Sequence, residues 1–264
     1  MRIGRQLLLL FILAGCSLSQ TIPPTYFGLH INRQSTPWPQ VRFGSLRLWD
    51  AGSAQWSQVN PAPGKYDFSD LDEWLQKAKT HNVTDVLYTL SRTPRWAVGS
   101  SNRGDANDSS CDYNRVNGPG QCWPPKDLGP DGKGPNQIWK DWVREVATHV
   151  KNLDSSHAKI RYWQIWNEFH RDGSWKGTDD QLVRLAEDAR CVITGNGTVR
   201  GQPCAEKAID PDAMIVSPST GTAPRALAML KRFLDAGGSK AVDVIAIHPL
   251  CPIWIVLRKC RIGQ

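Results

Sequence analysis

The sequence predicts an α/β fold in which parallel strands are followed by helices, and three observations support this. Strand-like and helix-like segments alternate from residue 26 to residue 248. A dinucleotide-binding open sheet typically has a GxGxxG pattern in the turn after its first strand, and this turn contains none. Polar and aromatic residues gather where predicted strands end, as they do in barrel enzymes. A (β/α)8 barrel is therefore favoured over an open, doubly wound sheet.

Hydrophobic periodicity locates the individual elements. The predicted strands cover residues 26–31, 41–49, 85–90, 160–166, 213–217 and 242–248. The predicted helices cover residues 68–81, 136–153, 179–193 and 224–236. The first of these helices has Asp67 or Ser69 as its expected N-cap. About six βα units are present, so the predicted barrel is incomplete.

The ends of these strands carry the candidate functional residues. They are His30, Arg47, Asp50, Arg92, Trp96, Asn167, Glu168 and His248. In a barrel, the carboxyl ends of all strands meet at one face, where the catalytic residues lie.

Composition restricts the class of partner. The chain has 264 residues, a net charge of +7 and 12 tryptophans. Its Lys and Arg residues are scattered, so the charge gives little support for a nucleic-acid partner. Tryptophan faces can stack on sugar rings, although packing in the core is the commoner role of each large aromatic residue.

The first twenty residues predict a secretory signal. Arg2 and Arg5 precede a short apolar stretch at residues 7–13. The following Leu-Ala-Gly-Cys16 resembles the lipobox of bacterial lipoproteins, with an ordinary cleaved signal as the alternative. We therefore predict a leader at 1–20, a partial barrel at 21–250 and an aberrant tail at 251–264. The mature chain is expected outside the cytoplasm, either secreted or anchored to a membrane through lipidated Cys16.

The remaining cysteines favour disulfides in such a compartment. Cys111 and Cys122 flank one polar loop, and Cys191 and Cys204 flank another. No CxxC or paired-His spacing indicates a metal site. The sequence supports neither a metal nor a nucleotide cofactor.

Residues 163–169 end the fourth predicted strand with an Asn-Glu pair. A glycosidase needs one carboxylic acid to protonate the leaving oxygen and a second carboxylate opposite it. We predict that Glu168 is this acid/base and that Asn167 hydrogen-bonds a sugar 2-hydroxyl, with a structural turn as the alternative. Trp166 and Phe169 are expected to raise the pKa of Glu168 by desolvating its charged form.

This segment resembles the fourth strand of a clan of (β/α)8-barrel glycoside hydrolases that share a strand-four Asn-Glu acid/base. Residues 46–50 and 60–68, together with Trp56, are similar to the second strand and following loop of family 39, the β-xylosidase/α-L-iduronidase-like enzymes. The resemblance covers about residues 25–250. It implies hydrolysis of O-glycosidic bonds in oligo- or polysaccharides by a retaining mechanism. It also implies that Arg47 orients the nucleophile and lowers its pKa.

Three further residues are candidates for sugar contacts. His248 resembles the strand-six histidine of the clan, which contacts the nucleophile or the sugar. Trp96 resembles a strand-three aromatic residue that lines the cleft. His30 lies at a strand end from which it could reach a sugar. Packing within the protein is the alternative role for each.

The clan takes its nucleophile from the end of a seventh strand, and the residues after His248 do not continue the family pattern. Residues 250–261 are first apolar and then basic. We hypothesise an interrupted reading frame or a truncated gene model near residue 250, with closure of the barrel by a partner as the alternative. The chain is then either a glycosidase or a noncatalytic sugar-binding remnant of one.

Overall fold

The computed structural model describes residues 22–101, 104–111 and 118–249. The predicted leader, including Cys16, and the tail at 251–264 lie outside these residues. The strands are β1 Gly28–His30, β2 Ser45–Leu48, β3 Asp85–Thr89, β4 Ser100–Ser101, β5 Gly104–Asp105, β6 Ile160–Gln164, β7 Thr198–Val199, β8 Gln202–Pro203, β9 Met214–Val216, β10 Thr220–Gly221 and β11 Ile247–His248. The helices are α1 Trp56–Val59, α2 Ser69–Thr80, α3 Gln137–Asn152, α4 Asp179–Thr194, α5 Pro224–Phe233 and α6 Ser239–Ala241.

Five strands form one parallel sheet in the order β1-β2-β3-β6-β9. This order follows the chain without the reversal that defines a doubly wound sheet. A parallel bridge between Val216 and Val244, and the parallel pair β10–β11, add a sixth strand position beside β9. The prediction of an incomplete (β/α)8 barrel is therefore confirmed for the part of the chain that the structure describes.

Aromatic side chains fill much of the space between the sheet and its helices. Trp56 stacks on Trp142 with ring centroids 5.8 Å apart and meets Trp139 edge-on at 5.3 Å. Eight of the eleven described tryptophans are buried, namely Trp49, Trp56, Trp74, Trp139, Trp142, Trp163, Trp166 and Trp175. Most of the unusual tryptophan content therefore belongs to the core, where large aromatic residues contribute most to burial.

Helix α2 begins where the sequence predicts, but its cap differs. The N-cap position is Phe68, so the choice of Asp67 or Ser69 is wrong. Asp67 nevertheless accepts hydrogen bonds from the backbone N–H and the hydroxyl of Ser69, at 3.0 and 2.6 Å. The carboxylate thus satisfies a first-turn donor from one residue further upstream.

The described parts of the long loop at residues 98–134 are fixed by covalent and backbone contacts. Cys111 and Cys122 form a disulfide inside it. A second disulfide joins Cys191, in the last turn of α4, to Cys204 downstream, so both predicted disulfides are confirmed. The backbone N–H of Lys176 donates to the Cys122 carbonyl at 2.9 Å. This contact ties the loop to the connection that follows β6.

The two disulfides are typical of proteins that mature outside the reducing cytoplasm, in agreement with the predicted export. Within the described ranges, every helix falls short of the combined length and hydrophobicity that a membrane crossing requires.

Helix α4 offers a test of local stability. Thr178 and Gln181 form a reciprocal capping box at its start. We expect Thr178→Ala to lower the free energy of unfolding by about 1 kcal/mol, because a first-turn N–H loses its acceptor. Thr178→Ser keeps the hydroxyl and should recover most of that loss. Urea denaturation of the three proteins measures both effects, and equal losses for Ala and Ser would contradict the assignment.

Candidate active site

A network of polar side chains links three neighbouring strands below the barrel mouth. The Nη2 of Arg47, on β2, donates to Gln164 Oε1 at 2.9 Å and to Asn167 Oδ1 at 2.7 Å. Thr89, on β3, donates its hydroxyl to the same Gln164 oxygen at 2.9 Å. The network fixes the amide of Asn167 and brings Arg47 beside the end of β6, where the sequence predicts it.

The backbone at Glu168 adopts a left-handed conformation with φ of 45°. Such a conformation costs a non-glycine residue roughly 1–3 kcal/mol and is found preferentially at functional sites. The N–H of Glu168 donates to Ser219 Oγ at 2.9 Å, and the N–H of Phe169 donates to the Ser219 carbonyl at 3.2 Å. The loop after β9 therefore holds this strained turn in place.

Both carboxylate oxygens of Glu168 have partners. His248 Nδ1 lies 3.2 Å from Oε1, and Arg171 Nη1 lies 2.9 Å from Oε2. The Glu168 side chain is only 12% exposed, whereas that of Arg171 is 49% exposed. The carboxylate is thus held between a histidine of β11 and an arginine on the solvent side.

These contacts determine the protonation state of Glu168. The hydrogen bond from His248 is the main cause that lowers the pKa of Glu168 to about 2; burial opposes it, and Arg171 reinforces it. In the structure as it stands, the group is therefore a carboxylate at neutral pH. The prediction of a raised pKa is wrong for this state of the protein.

The aromatic residues that were expected to desolvate Glu168 pack elsewhere. Trp166 meets Trp175 edge-on at 4.8 Å and donates its Nε1 to the Ser174 carbonyl at 2.7 Å. Phe169 packs near Phe233, with ring centroids 6.3 Å apart. The contacts of both side chains thus belong to the core.

His30 lies at the end of β1, and both of its ring nitrogens contact protein atoms. Its Nδ1 is 3.1 Å from the Arg47 carbonyl oxygen, and its Nε2 is 2.5 Å from Asp50 Oδ1. The structure therefore places His30 next to the strand that carries Arg47. A contact to a sugar would require His30 to give up one of these partners.

Trp96 lies in a short helical turn that follows β3. Its Nε1 donates to the Asn60 carbonyl at 2.9 Å, and its own carbonyl accepts from Lys126 Nζ at 2.9 Å. The ring is partly exposed. These contacts join the loop after β2 to the loop after β3 and do not include Glu168.

The structure brings Arg47, Asn167, Glu168 and His248 into one connected network, to which His30 is joined through the Arg47 carbonyl. Sequence reasoning missed Arg171 and Ser219. The spacing of Arg171 could have been noticed in the sequence, because an arginine three positions after a glutamate in a turn can form an ion pair with that glutamate. No sequence pattern indicates Ser219, because its hydrogen bond to the Glu168 N–H depends on which strand ends lie side by side.

The family assignment comes from comparison with known proteins. The model of glycoside hydrolase family 42, described as β-galactosidase, matches residues 40–179. The chain belongs to this family. The matched segment of this family 42 chain includes Arg47, Trp96, Asn167 and Glu168, while His30 and His248 lie outside it. The predicted glycoside hydrolase membership is confirmed. No curated protein sequence matches the chain.

Solved structures of glycoside hydrolases are also similar to parts of this family 42 chain. A family 39 enzyme from Bacteroides cellulosilyticus has 16% identity and a TM-score of 0.45, covering 79% of this chain and 33% of its own. The catalytic domain of family 30 xylanase C from Talaromyces cellulolyticus has 12% identity and a TM-score of 0.45, covering 77% and 43%. An intracellular xylanase from Thermoanaerobacterium saccharolyticum has 13% identity and a TM-score of 0.46, covering 78% and 56%. The chain thus spans between a third and somewhat over half of the length of these proteins.

The lowered pKa of Glu168 predicts a specific dependence of stability on pH. A carboxylate whose pKa in the folded protein is about 2 stabilises the fold at pH values above its pKa in the unfolded chain. This contribution disappears as the pH falls to about 2. We therefore expect the unfolding free energy of the wild type, relative to Glu168→Gln, to fall between about pH 4.5 and pH 2. Urea denaturation at several pH values measures this difference.

The control is His248→Gln, which removes the main cause of the lowered pKa. The unfolding free energy of His248→Gln, relative to the double variant His248→Gln/Glu168→Gln, should change less over the same pH range. A wild-type difference that stays constant with pH would contradict the assignment.

Proposed function

We propose that this chain is derived from an enzyme that hydrolyses O-glycosidic bonds in carbohydrates, with Glu168 as the general acid/base. The observation that carries the proposal is the position of this carboxyl group. It lies nearly buried at the carboxyl end of the fourth sheet strand, on a strained backbone and between two nitrogen donors. Barrel enzymes keep their catalytic groups at this end of the strands.

The ionised form of Glu168 suits one half of a retaining cycle. As a general base it would take a proton from the water that attacks the glycosyl-enzyme bond. As a general acid it must first carry a proton. A bound sugar that desolvates the carboxyl group and displaces one of its two nitrogen partners would raise its pKa.

The neighbouring side chains support binding of the sugar ring. The Asn167 oxygen already accepts from Arg47, so the amide Nδ2 is the group that would donate to a sugar 2-hydroxyl. The Nε of Arg47 is buried and lacks a hydrogen-bond partner within the described residues. A sugar oxygen or a second carboxylate beside Arg47 would satisfy this donor.

The retaining mechanism also needs a nucleophilic carboxylate about 5 Å from the acid/base. In the clan that the motifs resemble, it follows the seventh strand, and the described residues end at Pro249, directly after β11. We propose that turnover depends on a nucleophile supplied from beyond this point, from a longer chain or a partner.

A second candidate function is sugar binding without hydrolysis. It is favoured by the open edges of the described sheet, where β1 pairs only with β2 and β11 only with β10. Apolar side chains are exposed near both edges, namely Tyr26, Phe27, Ile245 and Ile247. A sheet with unpaired edges is prone to association, so the described strands on their own would bind a sugar without the closed barrel that barrel enzymes use for catalysis.

The same proposal places the protein outside the cytoplasm with a carbohydrate as its partner and no nucleic acid. The two disulfides support an oxidising compartment. Anchorage through lipidated Cys16 depends on the leader and is testable by metabolic labelling with a fatty-acid analogue.

Comparing substrates with a poor and a good leaving group tests whether Glu168 is an acid/base or a structural residue. We expect Glu168→Gln to lower kcat/KM for methyl β-D-galactoside by about 10²–10⁴-fold, because an alkoxide must be protonated as it leaves. The value for 2,4-dinitrophenyl β-D-galactoside should fall by less than about tenfold, because its leaving group needs little protonation.

The matched control is Glu145→Gln, which makes the same substitution at an exposed position on α3. It should leave kcat/KM for both substrates unchanged. Equal losses on both substrates in Glu168→Gln would contradict the acid/base role. Binding of galactose by a chain that hydrolyses neither substrate would favour the sugar-binding remnant.

A further inference from the structure

His170 is a partly buried histidine that the proposed chemistry does not use. It follows Glu168 by two positions, and its Nδ1 lies 3.2 Å from the backbone nitrogen of Gly221, the last residue of β10. A backbone N–H can only donate, so Nδ1 must be the unprotonated acceptor of this hydrogen bond. His170 is therefore a neutral imidazole here, with its proton on Nε2.

The absence of a side chain at Gly221 permits this contact. A Cβ atom at this position would lie 3.1 Å from Nε2 and 3.4 Å from Cε1 of His170, which is closer than side chains normally pack. Glycine thus lets the imidazole ring lie directly against the backbone of β10. The ring packs against this strand in addition to accepting its N–H.

Gly221 is also the partner of His248. The two residues are in register in the parallel pair β10–β11, and His248 Nδ1 lies 3.2 Å from Glu168 Oε1. The contacts of Ser219 to the same turn lie two residues earlier, so the bond from Gly221 to His170 acts directly opposite His248. Because paired strands shift together, a displacement of β10 away from His170 would move His248 relative to the carboxylate.

The surroundings of His170 favour its neutral form. Burial is the main cause that lowers its pKa below the usual value of 6.5, and the positive charges of Arg171, His248 and Arg225 lower it further. Glu168 acts in the opposite direction. The ring is therefore an acceptor at neutral pH, and it loses this ability when acid protonates Nδ1.

We propose that His170 is a positioning residue for the acid/base. Its neutral ring holds the N–H of Gly221, and the β10–β11 pair transmits this constraint to His248, which faces the carboxylate of Glu168. The inference rests on the proposed function where it treats Glu168 as the acid/base. It adds a residue through which acid would disturb that site.

Two nearly isosteric substitutions isolate the acceptor. Asparagine at position 170 offers an amide oxygen in place of Nδ1 and does not titrate, whereas leucine has a similar shape without an acceptor. We expect the Gly221 amide proton to exchange with solvent about fivefold faster in His170→Leu than in the wild type at pH 7, as the loss of one hydrogen bond allows. The rate in His170→Asn should match that of the wild type. Hydrogen exchange followed by NMR on the full chain measures both.

The ring of His248 reports whether the constraint reaches Glu168. A carboxylate that faces Nδ1 keeps the proton of a neutral histidine on that nitrogen. Long-range ¹H–¹⁵N spectra at pH 8 should show this tautomer of His248 in the wild type and in His170→Asn, and its loss in His170→Leu. A residue with only a local packing role would leave the tautomer unchanged. The matched control is His157→Leu, which removes another partly buried imidazole, before β6, and should also leave it unchanged.

Acid should reproduce the leucine effect in the wild type but not in His170→Asn. A histidine whose pKa is lowered in the fold stabilises it above the pKa of the unfolded chain, and this contribution is lost as the pH falls through the lowered value. We therefore expect Gly221 exchange in the wild type, relative to His170→Asn, to accelerate as the pH falls below 7. The comparison cancels the other groups that titrate in this range, including His248, because both proteins contain them. A ratio of the two rates that stays constant with pH would contradict the proposal.

The outcomes separate this inference from the proposed function. An unchanged Gly221 exchange rate or an unchanged His248 tautomer in a folded His170→Leu protein would overturn the role of His170, as would failure of His170→Asn to retain both. If thermal unfolding showed that His170→Leu is not folded, the pH comparison between the wild type and His170→Asn would decide. A leaving-group effect of Glu168→Gln without any effect of His170 would leave the proposed function standing alone. An effect of His170 on His248, in a chain whose hydrolysis is unaffected by Glu168→Gln, would support the positioning link and overturn the acid/base assignment.

Discussion

The guanidinium of Arg47 is the constraint on which the site depends. It is a cation in the interior of the sheet, where burial lowers its pKa to about 10 and the charges of Asp50 and Glu168 oppose that effect. Its hydrogen bonds to Gln164 and Asn167 join β2 to the end of β6, and the shared oxygen of Gln164 extends the link to β3. A charge in such a place is costly when its donors lose their acceptors, so the two acceptors of Nη2 leave these strand ends little freedom to shift relative to one another.

The same constraint explains why Glu168 can occupy an unfavourable backbone conformation. Its left-handed φ is held from two sides, by Asn167 anchored on Arg47 and by Ser219 from the loop after β9. The surrounding structure thus determines the direction of the carboxyl group. The result is a carboxylate that is stable as an anion in the free protein, so the proposed acid role would require a ligand to raise its pKa. The nitrogen donors that face the Glu168 oxygens, rather than an apolar pocket, determine its protonation state.

The architecture could be predicted from the sequence because barrel formation depends on periodicity and on the order of strands and helices. Glu168 and Asn167 were identifiable because the strand-four pattern is local. The protonation of Glu168 was not, since His248 lies 80 residues away and approaches only when the sixth strand takes its place beside β9. The contacts of Trp166 likewise depend on Trp175, which lies in an irregular connection whose path no periodicity describes. Sequence reasoning located the residues at the strand ends but could not assign their partners.

Binding and turnover place different demands on this barrel. The network from Arg47 through Asn167 and Glu168 to His248 is contributed entirely by strands or loops within the described residues, so the proposed binding of a sugar would use no group from beyond them. Double displacement does require a second carboxylate at a fixed short distance, and a displacement of about 1 Å can cost two orders of magnitude in rate. A chain with only these strands would therefore retain recognition of a sugar long after it had lost hydrolysis. In the proposed function, affinity and catalysis are therefore separable, because they would depend on different parts of the same fold.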